Sequence, residues 1–404
     1  MLHNDLLIAP WCVGEIFDSP DDQYDYLSVL LNSVLEEHAP RKKIRVREKD
    51  VPYMTNQWKN AIRQKRKHAQ NYARNRSPKN WELKRKWRNI ATRERRRAIK
   101  NYWKQKSDEL KTKPRDFFKT FNPFLRSKGK QVTNISIRVN ENIVTDQQSV
   151  VEVMGDYFST MANDIGGQHV LKLTEQDFNN HQSVKAIRPA FYDSDFQFEK
   201  TNHSQVENEL RKLNTSKAPG WDEISPKILN LTAGAIAAPL TGLFNNCIST
   251  GQWPRGWKMG VWTPVFKKDD RTNCTNYRPI TALNSVANVF ESLLSKQISD
   301  KTDSEMYSKM SAYRKMHSCE TNLIRVTEDW KKAMDNKECV AVLSTDMSKA
   351  LDSLHHALMI KKLEAYGFSH TSLELMRSYF QERKNRVKIN GVTSSWKDQS
   401  RGCP

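Results

Sequence analysis

Residues 340–354 read Val-Ala-Val-Leu-Ser-Thr-Asp-Met-Ser-Lys-Ala-Leu-Asp-Ser-Leu. Val340–Leu343 is a continuous apolar run, the pattern of a strand covered on both faces. The run gives out just before Asp346, which places a carboxylate at the end of a buried strand and near the surface. There it ionises at little cost and suits a magnesium ion. The residues alone leave a second reading open, in which Asp346 caps a helix over Lys349–Leu354.

The flanking sequence has the same mixed character. Ser204 is a candidate cap for a helix that carries Val206, Leu210 and Leu213 on one face. Lys217-Ala218-Pro219-Gly220-Trp221-Asp222 reads as a turn. Ser225-Pro226 starts a further helix through Leu229, and Ala233–Cys247 is apolar enough to be a buried one. Gly260–Phe266 predicts a strand, with Pro264 arguing for a sheet edge. It ends in Lys267-Lys268-Asp269-Asp270. After a short loop comes Asn276-Tyr277-Arg278-Pro279-Ile280, then a helix from about Ser285 to Ser299. Beyond the opening stretch, Arg386–Ile389 and Val392–Trp396 predict a hairpin around Asn390-Gly391, because that pair readily takes the left-handed turn conformations. Its outer edge is expected to be exposed.

Charge sets the first third of the chain apart. Over 404 residues the formal net charge is +20. From Trp58 to Lys106 there are nineteen Lys or Arg against two acids, Glu82 and Glu94, a local excess of +17. Apolar residues recur there at helical spacing: Trp58, Ile62, Trp87, Ala91, Ile99, Tyr102 and Trp103. Ser77-Pro78 marks a break, so two basic helices are expected, about 53–75 and 78–110. Lys84, Arg85, Lys86, Arg88, Arg93, Arg95, Arg96 and Arg97 are candidate phosphate contacts, with Trp and Tyr available to stack or pack beside the phosphates. A solvated helical arm is the competing reading. Lys113-Pro114 and Lys128–Asn134 read as linker, and Val150–Phe158 as a short amphipathic helix.

Several classes fall away. No stretch approaches 18 consecutive apolar residues, so no membrane span is expected. The opening residues lack a basic head before an apolar run, which predicts no signal peptide. Six cysteines, Cys12, Cys247, Cys274, Cys319, Cys339 and Cys403, stand far apart without zinc spacing, the pattern of free thiols in a reducing, intracellular setting. The basic excess makes RNA and DNA the expected partners. Oligomeric state is not legible.

Five blocks in order carry a family resemblance: NTSKAPGWDEISPKIL (214–229), PVFKKDDRTNCTNYRPITALNSVANVFESLL (264–294), SAYRKMHSCETNLIRVTEDW (311–330), VLSTDMSKALDSLHHALMIKKLEAYGF (342–368), and SYFQERKNRVKINGVTSSW (378–396) followed by RGCP (401–404). Together they resemble the fingers and palm of reverse transcriptases from non-LTR retrotransposons of the jockey and chicken-repeat type. DDQYDYLSVLLNSVLEEHAPRKKIRVREKDVPYMT (21–55) is similar to the segment between endonuclease and polymerase in the same elements.

The resemblance implies an α/β (α+β) right-hand polymerase fold, with complete fingers and an incomplete palm after a basic, mostly helical linker. Its implied divisions are 1–50 as a remnant following an endonuclease, 51–130 as the basic linker, 131–203 as a connector with short helices, and 204–404 as the polymerase domain. The implied activity is RNA-directed DNA polymerisation from dNTP substrates with Mg2+. By motif, Asp346 is the catalytic metal ligand and the Met347 carbonyl a second one, while Lys267, with Lys268, and Arg278 grip the triphosphate. Leu351 stands where the family usually has an aromatic residue against the sugar 2′-position, so altered sugar discrimination is expected. The family continues past the equivalent of RGCP into paired aspartates. A chain ending at Pro404 is therefore expected not to hold Mg2+ firmly or polymerise alone, and a purely nucleic-acid-binding role is the alternative.

Overall fold

The computed structural model describes residues 2–40, 51–110, 135–162, 175–187, 195–303, 307–347 and 349–403. They form two compact units, Met1–Arg41 with Asn134–Pro404, and Lys42–Thr133. The expected linkers at Lys113-Pro114 and Lys128–Asn134 lie outside the described residues.

The smaller unit is a helical hairpin of α3 (Asn56–Arg74) and α4 (Pro78–Leu110). Thr55 caps α3 by accepting from the Trp58 amide, and Ser77 accepts from Asn80 N–H ahead of Pro78. Both starts follow the rule that a short oxygen-bearing side chain satisfies a free helix amide.

The larger unit is a mixed α/β assembly. Before the hairpin come α1 (Leu2–Ile8) and α2 (Pro20–His38). Leu6, Tyr24, Leu27, Leu31 and Leu35 sink into the main core against α10 (Ala233–Thr250) and α11 (Ser285–Thr302). The first forty residues therefore share this core. At its centre Phe244 stacks on Phe290 at 4.8 Å and Trp253 on Phe290 at 5.0 Å.

After the hairpin come the ribbon β1 (Ile137–Val139) and β2 (Asn142–Val144), then α5 (Gln147–Thr160), α6 (Glu175–Asn180) and α7 (Gln182–Lys185). The next helix, α8 (His203–Lys212), starts two residues earlier than its sequence suggests. Asn202 and Gln205 exchange side-chain-to-amide bonds, a reciprocal cap that fixes the start ahead of Ser204. Ser225 caps α9 (Pro226–Leu231) as expected.

The sheet is built from β3 (Met259–Phe266), β4 (Tyr277–Ala282), β5 (Arg383–Ile389), β6 (Val392–Thr393) and β7 (Lys397–Gln399), in the order β4-β3-β5-β6 with β7 also on β5. Pro264 does not make β3 an edge strand throughout. Met259–Trp262 pairs with β5 in parallel while Val261–Phe266 pairs with β4. Pro264 faces Pro279 across the antiparallel ladder, and it lies beyond the last β5 pair, Trp262 with Val387. Two prolines can oppose each other only at a position exchanging no amide bonds. The missing amide of Pro264 thus faces the side where β5 has already diverged.

The Asn390-Gly391 turn forms, with both residues at positive φ (50° and 88°), and Ile389 pairs with Val392. The second strand stops at Thr393, earlier than expected. Ser394 takes over both bonds to Val387, donating its amide to the Val387 carbonyl and accepting the Val387 amide at its hydroxyl, 2.9 Å each. The hairpin's first strand is also less exposed than expected, since β3 flanks it on one side and β6 and β7 on the other.

The remaining helices are α12 (Cys319–Asp335), α13 (His356–Ala365) and α14 (His370–Phe380). One expectation fails outright. Val340–Leu343 is neither helix nor strand and joins no ladder among the described residues, and Leu343 is 91% exposed. An apolar run becomes a buried strand only where neighbouring strands accept its amides and its faces, and no described strand lies beside it. The helix of the alternative reading, over Lys349–Leu354, is a turn, closed by the Ser353 amide on the Lys349 carbonyl at 3.0 Å.

Candidate functional site

An open pocket of about 640 Å³ lies between the β3–β4 hairpin, α5 and residues 346–352. Its lining includes Lys267, Arg278, Asp346, Met347, Leu351 and Asp352. The hairpin wall follows from register: Val265 pairs with Arg278 and Phe266 with Tyr277. The Lys267 amide donates to the Asn276 carbonyl at 2.8 Å and closes the loop. At the tip, Asp270 accepts from the Thr272 amide and hydroxyl, which pulls its carboxyl below the usual range. Arg271 lies over the Phe266 ring at 4.2 Å, while Tyr277 donates to the Arg271 carbonyl at 2.7 Å. Arg271 thus braces the tip, and Arg278 remains exposed toward the pocket.

The opposite wall is the 346–352 turn. Met347 and Leu351 are exposed there. Asp352 is partly buried, and desolvation raises its carboxyl above the ordinary range while Lys349 and Arg278 pull it back. This turn is strapped from behind: the Gly402 amide donates to the Leu354 carbonyl at 2.9 Å and the Cys403 amide to the Leu351 carbonyl at 2.8 Å. Gly402 has φ +91°, and a Cβ there would meet the Asp352 carbonyl oxygen at 2.9 Å, so the close approach needs glycine.

Five of the six residues singled out by motif for metal and nucleotide therefore line one pocket: Lys267, Arg278, Asp346, Met347 and Leu351. Lys268 does not. It extends at the hairpin tip with its ammonium 3.9 Å from the Asp269 carboxylate. The pocket also contains Tyr157, Met161 and Lys349, which sequence reasoning missed. Val150–Phe158 is legible as an amphipathic helix, but no spacing rule connects residue 157 with residue 278.

A family model described as reverse transcriptase (RNA-dependent DNA polymerase) matches residues 265–404, which hold every motif-assigned residue of this pocket. The second half of the chain contains a reverse transcriptase domain of the non-LTR retrotransposon type. The RNA-directed DNA polymerase from mobile element jockey of Drosophila melanogaster is 27% identical over 203 residues, 50% of this chain and 22% of that protein. The Pol polyprotein of the type-1 retrotransposable element R1 of Bradysia coprophila is 28% identical over 209 residues, 50% of this chain and 20% of its own length. The chain thus spans about a fifth of the length of these curated relatives.

For the metal, the donor set of this reverse transcriptase domain is small. Among the described residues no group of three or more His, Cys, Asp or Glu side chains is gathered as a metal cage. Asp346 and Asp352 share the pocket. A Mg2+ arriving on substrate phosphates keeps several waters and needs only one or two carboxylates, and the pocket fits that case. No described helix is long and apolar enough to cross a membrane.

The basic hairpin is a separate candidate surface. Arg85, Lys86, Arg88, Arg93, Arg95, Arg96 and Arg97 are exposed, while Ala61, Ala91 and Ala98 are buried along the seam. The described aromatic residues of this unit pair with one another or with His68. Trp87 stacks on His68 at 6.0 Å, Tyr72 packs on Trp81 at 5.3 Å, and Tyr53 stacks on Trp58 at 6.1 Å. The first two pairs bridge α3 and α4, since apolar rings gain more from packing on each other than from facing water, and Tyr53, which precedes α3, also meets Tyr102 of α4 edge-on at 6.0 Å. Lys84 lies over the Tyr72 ring at 4.6 Å and over Trp81 at 5.2 Å, so it braces the same seam.

Proposed function

We propose that the pocket receives the incoming dNTP of template-directed nucleotidyl transfer, within the RNA-directed DNA polymerase of a mobile element. The observation that carries this reading is the convergence of Lys267, Arg278, Asp346 and Leu351, from segments up to 84 residues apart, on one pocket. Phosphoryl transfer asks little covalent chemistry of a protein and depends on positioning and charge. The planar fork of Arg278 suits paired bonds to phosphate oxygens, and Lys267 adds a point charge beside it. Asp346, with the Met347 carbonyl, is the place for a Mg2+ carried by the triphosphate. Once bound, that ion would neutralise phosphate charge and align the reacting oxygens. The β3–β4 hairpin then corresponds to fingers and residues 346–399 to part of the palm of a right-hand polymerase.

The test is equilibrium binding of a fluorescent dNTP with Mg2+ to the full chain. Arg278→Ala should weaken binding at least tenfold, and Arg278→Lys should fall between, because ammonium supplies charge without the fork. Arg278 is exposed, so neither change threatens the core. Equal affinity of all three proteins would exclude the pocket as the nucleotide site.

A second reading rests on the exposed arginines of α4. In it, residues 51–130 form a basic linker that holds RNA or DNA through phosphates without sequence preference. The two readings concern different units and are compatible.

A further inference from the structure

We infer that Tyr157 on α5 forms the nucleoside-facing wall of this pocket and determines selectivity at the sugar, with Lys349 holding the ring by its hydroxyl. The inference rests on the nucleotide reading above and extends it to a residue outside the segment that matches the family model.

The pocket is chemically lopsided. Its cationic groups from the sheet, Lys267 and Arg278, stand on the β3–β4 hairpin, whereas Tyr157 and Met161 come from α5 and the residue just beyond it. A nucleoside triphosphate is lopsided too: its phosphates seek cations, and its sugar and base seek flat or apolar surfaces. Two aromatic residues line the pocket, Tyr157 and Tyr277. Tyr277 is buried, and its hydroxyl proton is already given to the Arg271 carbonyl. Tyr157 is partly exposed, and its hydroxyl accepts from the Lys349 ammonium at 3.2 Å. A phenol that accepts one bond keeps its own proton to donate, so Tyr157 has both a flat face and a hydrogen-bond donor for a sugar oxygen. Leu351, 60% exposed in the same pocket, has neither.

The wall is held rigidly. Lys397 pairs with Asp156 at 2.6 Å and with Glu152 at 3.2 Å, and Glu152 also accepts from the Ser395 amide and hydroxyl. Phe158 meets Trp262 edge-on at 5.8 Å, fixing α5 to the sheet. On the far side, Lys349 has a left-handed backbone, φ 51°, and its ammonium also donates to the Met161 carbonyl at 3.3 Å and lies 5.3 Å from the Tyr157 ring centre. A lysine at positive φ is unfavourable by itself and persists where surrounding contacts hold it. Here those contacts come from α5, which ties the ring to the turn carrying Asp346 and Asp352.

The experiment compares binding of a 2′-deoxynucleoside triphosphate with its ribonucleoside counterpart, each with Mg2+, to the full chain and to Tyr157→Phe, Tyr157→Ala and Arg278→Ala. The unmodified chain should distinguish the two sugars. Tyr157→Phe, which keeps the ring and its packing, should change their affinity ratio about threefold, and Tyr157→Ala should change it about tenfold. If Arg278→Ala abolishes binding while both Tyr157 variants leave the ratio unchanged, the nucleotide reading stands and the inference about Tyr157 is overturned. If no triphosphate binds, or Arg278→Ala has no effect, the nucleotide reading itself fails and takes the inference with it.

Discussion

Replacing Asp222 with asparagine should stabilise the protein near neutral pH and lose that advantage in acid. Asp222 sits in the Pro-Gly-Trp-Asp turn, where burial pushes its carboxyl up to about 6. Its Oδ2 accepts from Asn284 Nδ2 at 2.6 Å and its Oδ1 from the Ile224 amide at 3.3 Å, while Asn284 also donates to the Tyr24 hydroxyl at 2.8 Å. An aspartate in the unfolded chain titrates near 4. The folded state therefore holds this proton more tightly than the unfolded state. The associated stability is fully present below about pH 4 and is lost as pH rises through about 6. The loss is at most about 3 kcal/mol, at about 1.4 kcal/mol per pH unit of difference, and residual solvent screening at a partly exposed group lowers it. Asparagine never ionises, but its single oxygen forfeits one of the two accepted bonds, at about 1 kcal/mol. The variant should thus gain about 1–2 kcal/mol at pH 7.5 and lose about 1 kcal/mol at pH 4. Urea denaturation of both proteins across that range, followed by circular dichroism, reads the difference directly. A gap between the two proteins that is the same at pH 4 and pH 7.5 would refute the reasoning, since it would mean that Asp222 is not held against ionisation by burial.

Changing Arg95, Arg96 and Arg97 together to alanine should weaken binding of unrelated RNA and DNA alike. If six phosphates are neutralised in the unmodified chain, log affinity should fall against log salt with a slope of about −5 for a duplex, and the variant's slope should be shallower. An unchanged slope would remove these side chains from the contact. Gly402→Ala should push the Asp352 backbone away, because the added Cβ meets its carbonyl oxygen at 2.9 Å and φ is +91°. Weaker binding of Mg2+-dNTP with little loss of secondary structure is the expected result, and unchanged affinity would show that the strap does not position the pocket. Amides of Val387 and Ile389 should be protected from hydrogen exchange, as both residues are buried in a strand with neighbours on two sides. Exchange at the rate of an open chain would contradict that placement.

Local chemistry made part of this protein legible before any fold was known. Ser77-Pro78 divides the two basic helices because a hydroxyl can satisfy a free amide and proline has none to lose. Asn390-Gly391 turns the hairpin because those residues tolerate positive φ, and Ser225-Pro226 opens a helix for the same reasons as Ser77-Pro78. The ordered blocks around Lys267, Arg278 and Asp346 named candidates that the structure brings to one pocket. Each of these signals is carried by residues close together in the chain or by a family pattern.

Tertiary structure decided what depends on partners distant in sequence. The aromatic residues of the basic helices suit nucleic acid or each other equally well by type, and only the pairing of α3 with α4 sets Trp87 against His68 and Trp81 against Tyr72. Val340–Leu343 has the composition of a core strand, yet it stays exposed because composition cannot supply a neighbouring ladder. Pro264 forbids an amide bond on one side, but where β5 diverges from β3 determines that this does no harm. Tyr157 and Lys349 lie 192 residues apart, and nothing in either local sequence announces their hydrogen bond. Sequence determined which conformations and chemistries each short segment prefers, because those preferences reside in covalent geometry and neighbouring residues. The choice among surfaces, edges and pocket walls belonged to the fold, because burial and hydrogen bonding are satisfied only by whatever the rest of the chain brings alongside.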